Sequence, residues 1–183
     1  CGTPGEVRKL VLDLKLIADV GIIGLPNSGK STLLKVLTRA NPKIGNYPFT
    51  TIDPNLGTLN VKNKSIVLAD IPGLIEGSSG GKGLGIKFLR HIERTGILFH
   101  FISAESPTPA QDYKTIRTEL GLYNPLLLEK QEYIFLSKSD AITLEKISDI
   151  KREFNKYSTE MLEISIIDST SLQPVKNALS NLI

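Results

Sequence analysis

Cysteine is almost missing from this chain of 183 residues, with Cys1 at the first position standing alone. No intrachain disulfide and no cysteine-based zinc cluster can be built from it, which suits a reducing compartment. Long apolar runs are missing as well. No stretch approaches the roughly eighteen apolar residues that a membrane span needs, and no basic-then-apolar segment opens the chain, so a cytoplasmic, monomeric protein without a transmembrane segment is expected. Excess charge of one sign is small: 22 Lys and Arg stand against 19 Asp and Glu, a formal +3. That balance is compatible with an RNA-rich partner but far below the density that indicates nucleic-acid binding by itself. Only two histidines occur. His91 falls in a helical pattern and His100 in an apolar run, neither beside metal-ligand partners, so both read as structural. What is present is 40% hydrophobic content, enough for one α/β core in a chain too short for two comfortable domains.

Short apolar runs recur at 17–23, 65–71, 97–103, 132–137 and 161–165, separated by segments of helical periodicity at 82–94, 109–120, 144–157 and 172–182. Strand then helix, repeated, predicts a largely parallel sheet. The runs 56–61 and 65–69 are joined only by Lys62, Asn63 and Lys64, too short for a crossover helix, and predict an antiparallel hairpin. The fold class expected is α/β: a doubly wound, mostly parallel sheet of about six strands with helices on both faces and the ligand at the carboxyl ends of the strands. Residues 1–16 alternate apolar and polar positions after Gly2, Thr3, Pro4 and Gly5. They predict a strand that is either the tail of a preceding domain or an edge of the same sheet, with the main domain over 17–183.

Between the first apolar run and the amphipathic segment 33–37, the residues Gly24, Leu25, Pro26, Asn27, Ser28, Gly29, Lys30 and Ser31 fit G-x-x-x-x-G-K-[ST]. In a strand-loop-helix context this is a phosphate-binding loop. The two glycines allow positive φ, successive N–H groups form a concavity, and the helix N-terminus adds partial positive charge. Lys30 is placed to reach the β/γ-phosphates, and the Ser31 hydroxyl to ligate a phosphate-bound Mg²⁺.

Three further motifs fit the same chemistry. Asp70, Ile71, Pro72 and Gly73 follow an apolar strand; Asp70 is expected to reach Mg²⁺ through water, and the Gly73 N–H to meet the γ-phosphate. Between this motif and the loop lie Asn46, Tyr47, Pro48, Phe49, Thr50 and Thr51, continuing into Ile52 and Asp53, in the place of a switch that orders on a triphosphate. Thr51 is the expected metal ligand, with Phe49, Thr50, Ile52 and Asp53 lining the nucleotide; a turn that simply packs Tyr47 and Phe49 is the alternative. Ser137, Lys138, Ser139 and Asp140 close another apolar strand. An Asp140 carboxylate accepts two hydrogen bonds from the ring N–H and exocyclic amino group of guanine, a donor pair that adenine lacks, so GTP is favoured over ATP. The Lys138 stem is expected to lie along the base.

These four motifs together resemble the translation-factor-related GTPases, and the residues between them resemble the Obg family, also called Obg/CgtA-like. The likeness is carried by Gly24 to Ser31, by Asn46 to Thr51, by Asp70 to Gly77, by Gly83, Leu84 and Gly85 with 88–94, and by the entry segment 14–21. The resemblance implies a Ras-like P-loop domain, Mg²⁺, GTP and GDP as ligands, and a role in assembly of the large ribosomal subunit. It also implies that an N-terminal glycine-rich domain precedes this one. Ser165, Ile166 and Ile167 stand where the family has a base-contacting Ser-Ala turn, with Ile166 departing from the small residue. Ser137 replaces the usual asparagine, and because a hydroxyl cannot reproduce both groups of an amide, reduced nucleotide affinity is expected.

Leu74 stands where Ras-like enzymes carry a water-orienting glutamine, so the expected turnover is slow, not above the order of 10⁻³ s⁻¹ unaided. The expected chemical contributors are then Lys30, Thr51 and Gly73; a nucleotide-gated module with negligible hydrolysis is the rival. The resemblance makes Asn27 a lead for K⁺ bound beside the phosphates, ordinary loop hydrogen bonding being the other reading. The stretch 78–83 is glycine- and serine-rich, which suits a second switch.

Overall fold

The computed structural model describes residues 5, 9, 18–38, 43–44, 55–71, 84–157, 160–168 and 170–182. Seven strands form one sheet: β1 (Ala18–Ile23), β2 (Lys43–Ile44), β3 (Asn55–Val61), β4 (Lys64–Asp70), β5 (Thr95–Ser103), β6 (Glu132–Ser137) and β7 (Met161–Glu163). Their spatial order is β2-β3-β4-β1-β5-β6-β7. All pairs from β4 through β7 are parallel, whereas β2, β3 and β4 pair antiparallel. The six predicted strands are all present. The seventh, β2, has two residues, too few to leave a periodic signal in sequence. The expected strand and tail over 1–16 lie outside the described residues.

The hairpin between β3 and β4 turns on Lys62 (φ 46°) and Asn63 (φ 66°). Two successive left-handed residues match the right-handed twist of the flanking strands, which is why so short a turn suffices. The parallel strands need crossovers, supplied by α2 (Leu84–Glu93), α3 (Pro109–Tyr123) and α4 (Leu144–Phe154), while α1 (Lys30–Thr38) leads from β1 towards β2 and α5 (Gln173–Ser180) follows β7. Proline at the start of α3 and α5 fits a position whose N–H has no helical partner. The Thr143 side chain accepts from the Lys146 N–H and caps α4.

Strand periodicity divides the core. Val20, Ile22, Phe99, Phe101 and Phe135 point to one face, where Leu33, Leu34 and Leu37 of α1 and Val175 and Leu179 of α5 cover them. Ile23 and Leu98 point to the other, against Leu89 and Ile92 of α2 and Ile116 and Leu120 of α3. Further along that face, Ile102, Ile134 and Leu136 pack on Ile147, Ile150 and Phe154 of α4. With both faces covered, the central strands read as near-continuous apolar runs. Among the described residues no helix is long and apolar enough to cross a membrane.

Candidate nucleotide site

The carboxyl ends of β1, β4, β5 and β6 meet at one edge of the sheet. From β1 the chain enters the loop 24–29 and then α1, whose first residue is Lys30. Gly24 sits at φ 148°, and a Cβ there would stand 2.3 Å from the Phe101 carbonyl oxygen and 2.8 Å from Ser28 Oγ. Gly29 takes φ 88°. Asn27, exposed at the apex, takes φ 63°, a left-handed conformation that asparagine tolerates better than most side chains.

Lys30 folds into this loop. Its Nζ donates to the carbonyls of Gly24 (2.9 Å) and Leu25 (2.8 Å), and the residue is only 6% exposed. Burial pushes the Lys30 ammonium below its usual value, while the Asp70 carboxylate pulls the other way. The next residue faces that same carboxylate: Ser31 Oγ donates to Asp70 Oδ2 at 2.5 Å. Asp70 ends β4 beside Ile22 of β1, and Ile71 continues the ladder by donating its N–H to the Ile22 carbonyl at 3.1 Å.

Asp70 is buried, and its Oδ1 has no hydrogen-bond partner among the described residues. A buried carboxylate oxygen left unpaired is costly in a finished core. Together with the Ser31 hydroxyl it is a set of hard oxygen donors, which fits Mg²⁺. Of the other expected site residues, Phe49, Thr50, Thr51, Ile52, Asp53, Pro72 and Gly73 lie outside the described residues, as do Leu74 and 78–83.

The base motif begins at the end of β6. Ser137 is fully buried, with Oγ 2.8 Å from the Ser28 carbonyl and 3.1 Å from that of Ile102. Lys138 adopts φ 57° and pairs its ammonium with Glu105 Oε2 at 2.5 Å. Ser139 donates through N–H and Oγ to the Ile164 carbonyl, at 3.3 and 3.1 Å. Asp140, in the 3-10 turn Ser139–Ala141, is exposed. These bonds fasten the motif to the turn after β7. There Ser165 Oγ accepts from the Ile167 N–H at 3.3 Å, and Asp168 accepts from the N–H and hydroxyl of Thr170. The Ile166 side chain reaches the apolar core under α1 and α5, and its Cδ1 is the nearest atom a Cβ on Gly29 would meet, at 3.4 Å. The large residue in place of a small one is thus accommodated below the loop.

Two elements of this site escape sequence reasoning. Glu105, partner of Lys138, lies 33 positions away. His100 lines a cleft of about 280 Å³ beside Pro26, Asn27, Ser103 and Lys138. Its Nδ1 donates to Glu132 Oε1 at 2.7 Å, and Arg117 bonds the other oxygen at 3.0 Å. Neither pairing leaves a local pattern.

Residues 19–138, well over half of the chain, match the family described as 50S ribosome-binding GTPase. The chain belongs to that GTPase family. It is 48% identical over 176 residues to the GTPase Obg of Pelagibacter ubique, covering 96% of this chain and 54% of that protein. The Obg resemblance read from the motifs is thereby borne out. Among solved structures, Aquifex aeolicus Era bound to GDP and AlF₄⁻ superposes with a TM-score of 0.65 at 25% identity, over 90% of this chain and 56% of Era. The G domain of the T. maritima FeoB iron transporter superposes at 0.66 with 20% identity, over 89% of this chain and 96% of the G domain, and shows the fold. The chain spans about half the length of the curated relatives it matches.

Proposed function

We propose that this chain binds GTP with Mg²⁺ and hydrolyses it slowly, as a nucleotide switch in assembly of the large ribosomal subunit. The observation that carries the reading is the convergence of Lys30, Ser31 and Asp70 at the carboxyl ends of β1 and β4, with Asp140 exposed in the turn after β6 at the same end of the sheet. The family description, 50S ribosome-binding GTPase, supports the choice of partner.

In this reading the loop N–H groups and the α1 N-terminus hold the phosphates. The Lys30 ammonium leaves the Gly24 and Leu25 carbonyls for the β- and γ-oxygens, where it meets full negative charge at hydrogen-bond distance. The Ser31 hydroxyl would hold Mg²⁺ directly and Asp70 through water. Bound there, the metal would neutralise charge developing on the phosphates. Asp140 reads the donor edge of guanine, the turn 165–167 supports the base, and Thr51 and Gly73 complete the metal and γ-phosphate contacts. Asn27 is the proposed neighbour of a K⁺ ion; equal rates in K⁺ and Na⁺ would exclude that.

The test is a titration with GDP, GTP and ATP, with and without Mg²⁺, followed by a hydrolysis time course. Guanine nucleotides are expected to bind and ATP not to compete; a turnover near one per second in the isolated chain would contradict slow hydrolysis. Leu74 favours one rival, a nucleotide-gated binding module with negligible hydrolysis. Single-turnover assays with and without large ribosomal subunits separate the two. A cytoplasmic, monomeric protein in which 1–16 lead in from an N-terminal domain completes the proposal.

A further inference from the structure

We infer that this chain recognises guanine without a contact to N7, because the one proton of the Ser137 hydroxyl is committed inside the protein. The inference rests on the guanine-nucleotide reading above.

Ser137 is the last residue of β6 and is inaccessible to solvent. Among the described residues both hydrogen-bond partners of its Oγ are carbonyl oxygens, Ser28 at 2.8 Å and Ile102 at 3.1 Å. Carbonyls only accept, so the hydroxyl must donate, and a serine has a single proton to give. The shorter contact takes it, and the longer one shares it. Ser137 therefore ties the end of β6 to the phosphate loop, across 109 positions of sequence. What remains on Oγ is lone pairs. Guanine presents N7 and O6 on that edge, both acceptors, so oxygen would face acceptor without a proton between them. An amide at this position carries two N–H donors and would keep one after tying the loop.

The flanking side chains do not replace it. The Ser139 hydroxyl gives its one proton to the Ile164 carbonyl; the Lys138 ammonium has three protons but is drawn to Glu105 Oε2 at 2.5 Å, with its stem assigned to the face of the base and not to its edge. Asp140 is exposed, and as a carboxylate it only accepts. Base recognition by this motif thus falls on the N1–H and 2-amino donors alone.

The experiment is competition against labelled GDP by GTP, 7-deaza-GTP, ITP and ATP, using the chain as it stands and its S137N and S137A variants. The unaltered chain is expected to bind 7-deaza-GTP within about twofold of GTP, and ITP, which lacks the 2-amino group, about tenfold more weakly. S137N is expected to prefer GTP over 7-deaza-GTP by roughly fivefold, since the added donor meets N7. S137A is expected to weaken GTP and 7-deaza-GTP equally, because it loosens the loop and not the base contact. Discrimination against 7-deaza-GTP by the unaltered chain overturns the inference, as does a changed ratio in S137A or an unchanged ratio in a folded S137N. Absence of any guanine-nucleotide binding overturns the underlying reading instead, and the inference with it.

Discussion

The Ser31 hydroxyl donates to the Asp70 carboxylate at 2.5 Å across 39 positions of sequence. A residue of the phosphate loop and one from the end of β4 are thus held as a pair. The partnership ties the two motifs through one oxygen of Asp70 and leaves the buried Oδ1 available to a cation or its water. S31A and D70A are expected to lose the Mg²⁺-dependent part of GTP affinity, about 10- to 100-fold, as removal of a supporting metal group does. Fluorescence titration with Mg²⁺ and with EDTA checks this. Equal Mg²⁺ stimulation in variant and parent would remove both residues from the metal site.

Asp140 gives a specificity test. In D140N one acceptor oxygen becomes a donor, which mismatches the guanine 2-amino group and matches the 2-carbonyl of xanthine. GTP affinity is expected to fall about 100-fold or more, given how strongly unpaired buried polar groups are rejected, while XTP affinity rises. Competition between the two nucleotides reads the exchange; a variant that loses GTP without gaining XTP contradicts this role.

Tyr113 and Glu132 set opposite pH limits. Burial first, then the Glu132 carboxylate, pushes the Tyr113 phenol up to about 12 from 10.0. The folded chain keeps a proton that the unfolded chain releases near pH 10, so this contribution is full below 10 and lost as pH rises towards 12. Urea unfolding of Y113F across that range is expected to show a flatter alkaline decline. For Glu132, burial raises the carboxyl, but the His100 hydrogen bond and charge and the Arg117 guanidinium reverse that and hold it below its ordinary value of 4.5. Its contribution is present above 4.5 and lost as pH falls below it through the folded value. E132Q is expected to blunt acid unfolding, and an unchanged acid limb would contradict the assignment.

Gly24 is the backbone test. Its φ of 148° and the 2.3 Å approach of a Cβ to the Phe101 carbonyl leave an alanine nowhere to go. G24A is expected to cost at least about 1–3 kcal/mol from the conformation alone. Calorimetry of the nucleotide-free chain measures it, and a melting temperature within a degree of the parent would show that the loop re-forms.

The α/β class, the hairpin and all the central strands were legible because buried parallel strands leave uninterrupted apolar runs such as 97–103 and 132–137. Boundaries drifted where the determinant was not periodic: in the run ending at Ser165 the strand ends at Glu163, the Ile164 N–H gives a last bond to the Leu136 carbonyl, and the Ile164 carbonyl holds Ser139. Within the site, the glycine-lysine loop announced itself, since its conformation needs particular residue types in sequence. The bonds from Ser137 to Ser28, Lys138 to Glu105 and His100 to Glu132 did not. They join residues that only the sheet order brings together, and no local spacing encodes them.

At its rims the described sheet ends on two residues, Lys43–Ile44, and on three, Met161–Glu163. A sheet grows onto a neighbour only where a row of unpaired N–H and C=O groups is long enough to template it. Lys43 and Ile44 meet only Leu56 and Asn55 of β3, so among the described residues Gly57 to Val61 have no strand on their outer side. At high concentration that stretch is where a second chain would zip on, while β4, β1 and β5 lie sealed in the middle where no other molecule can reach them.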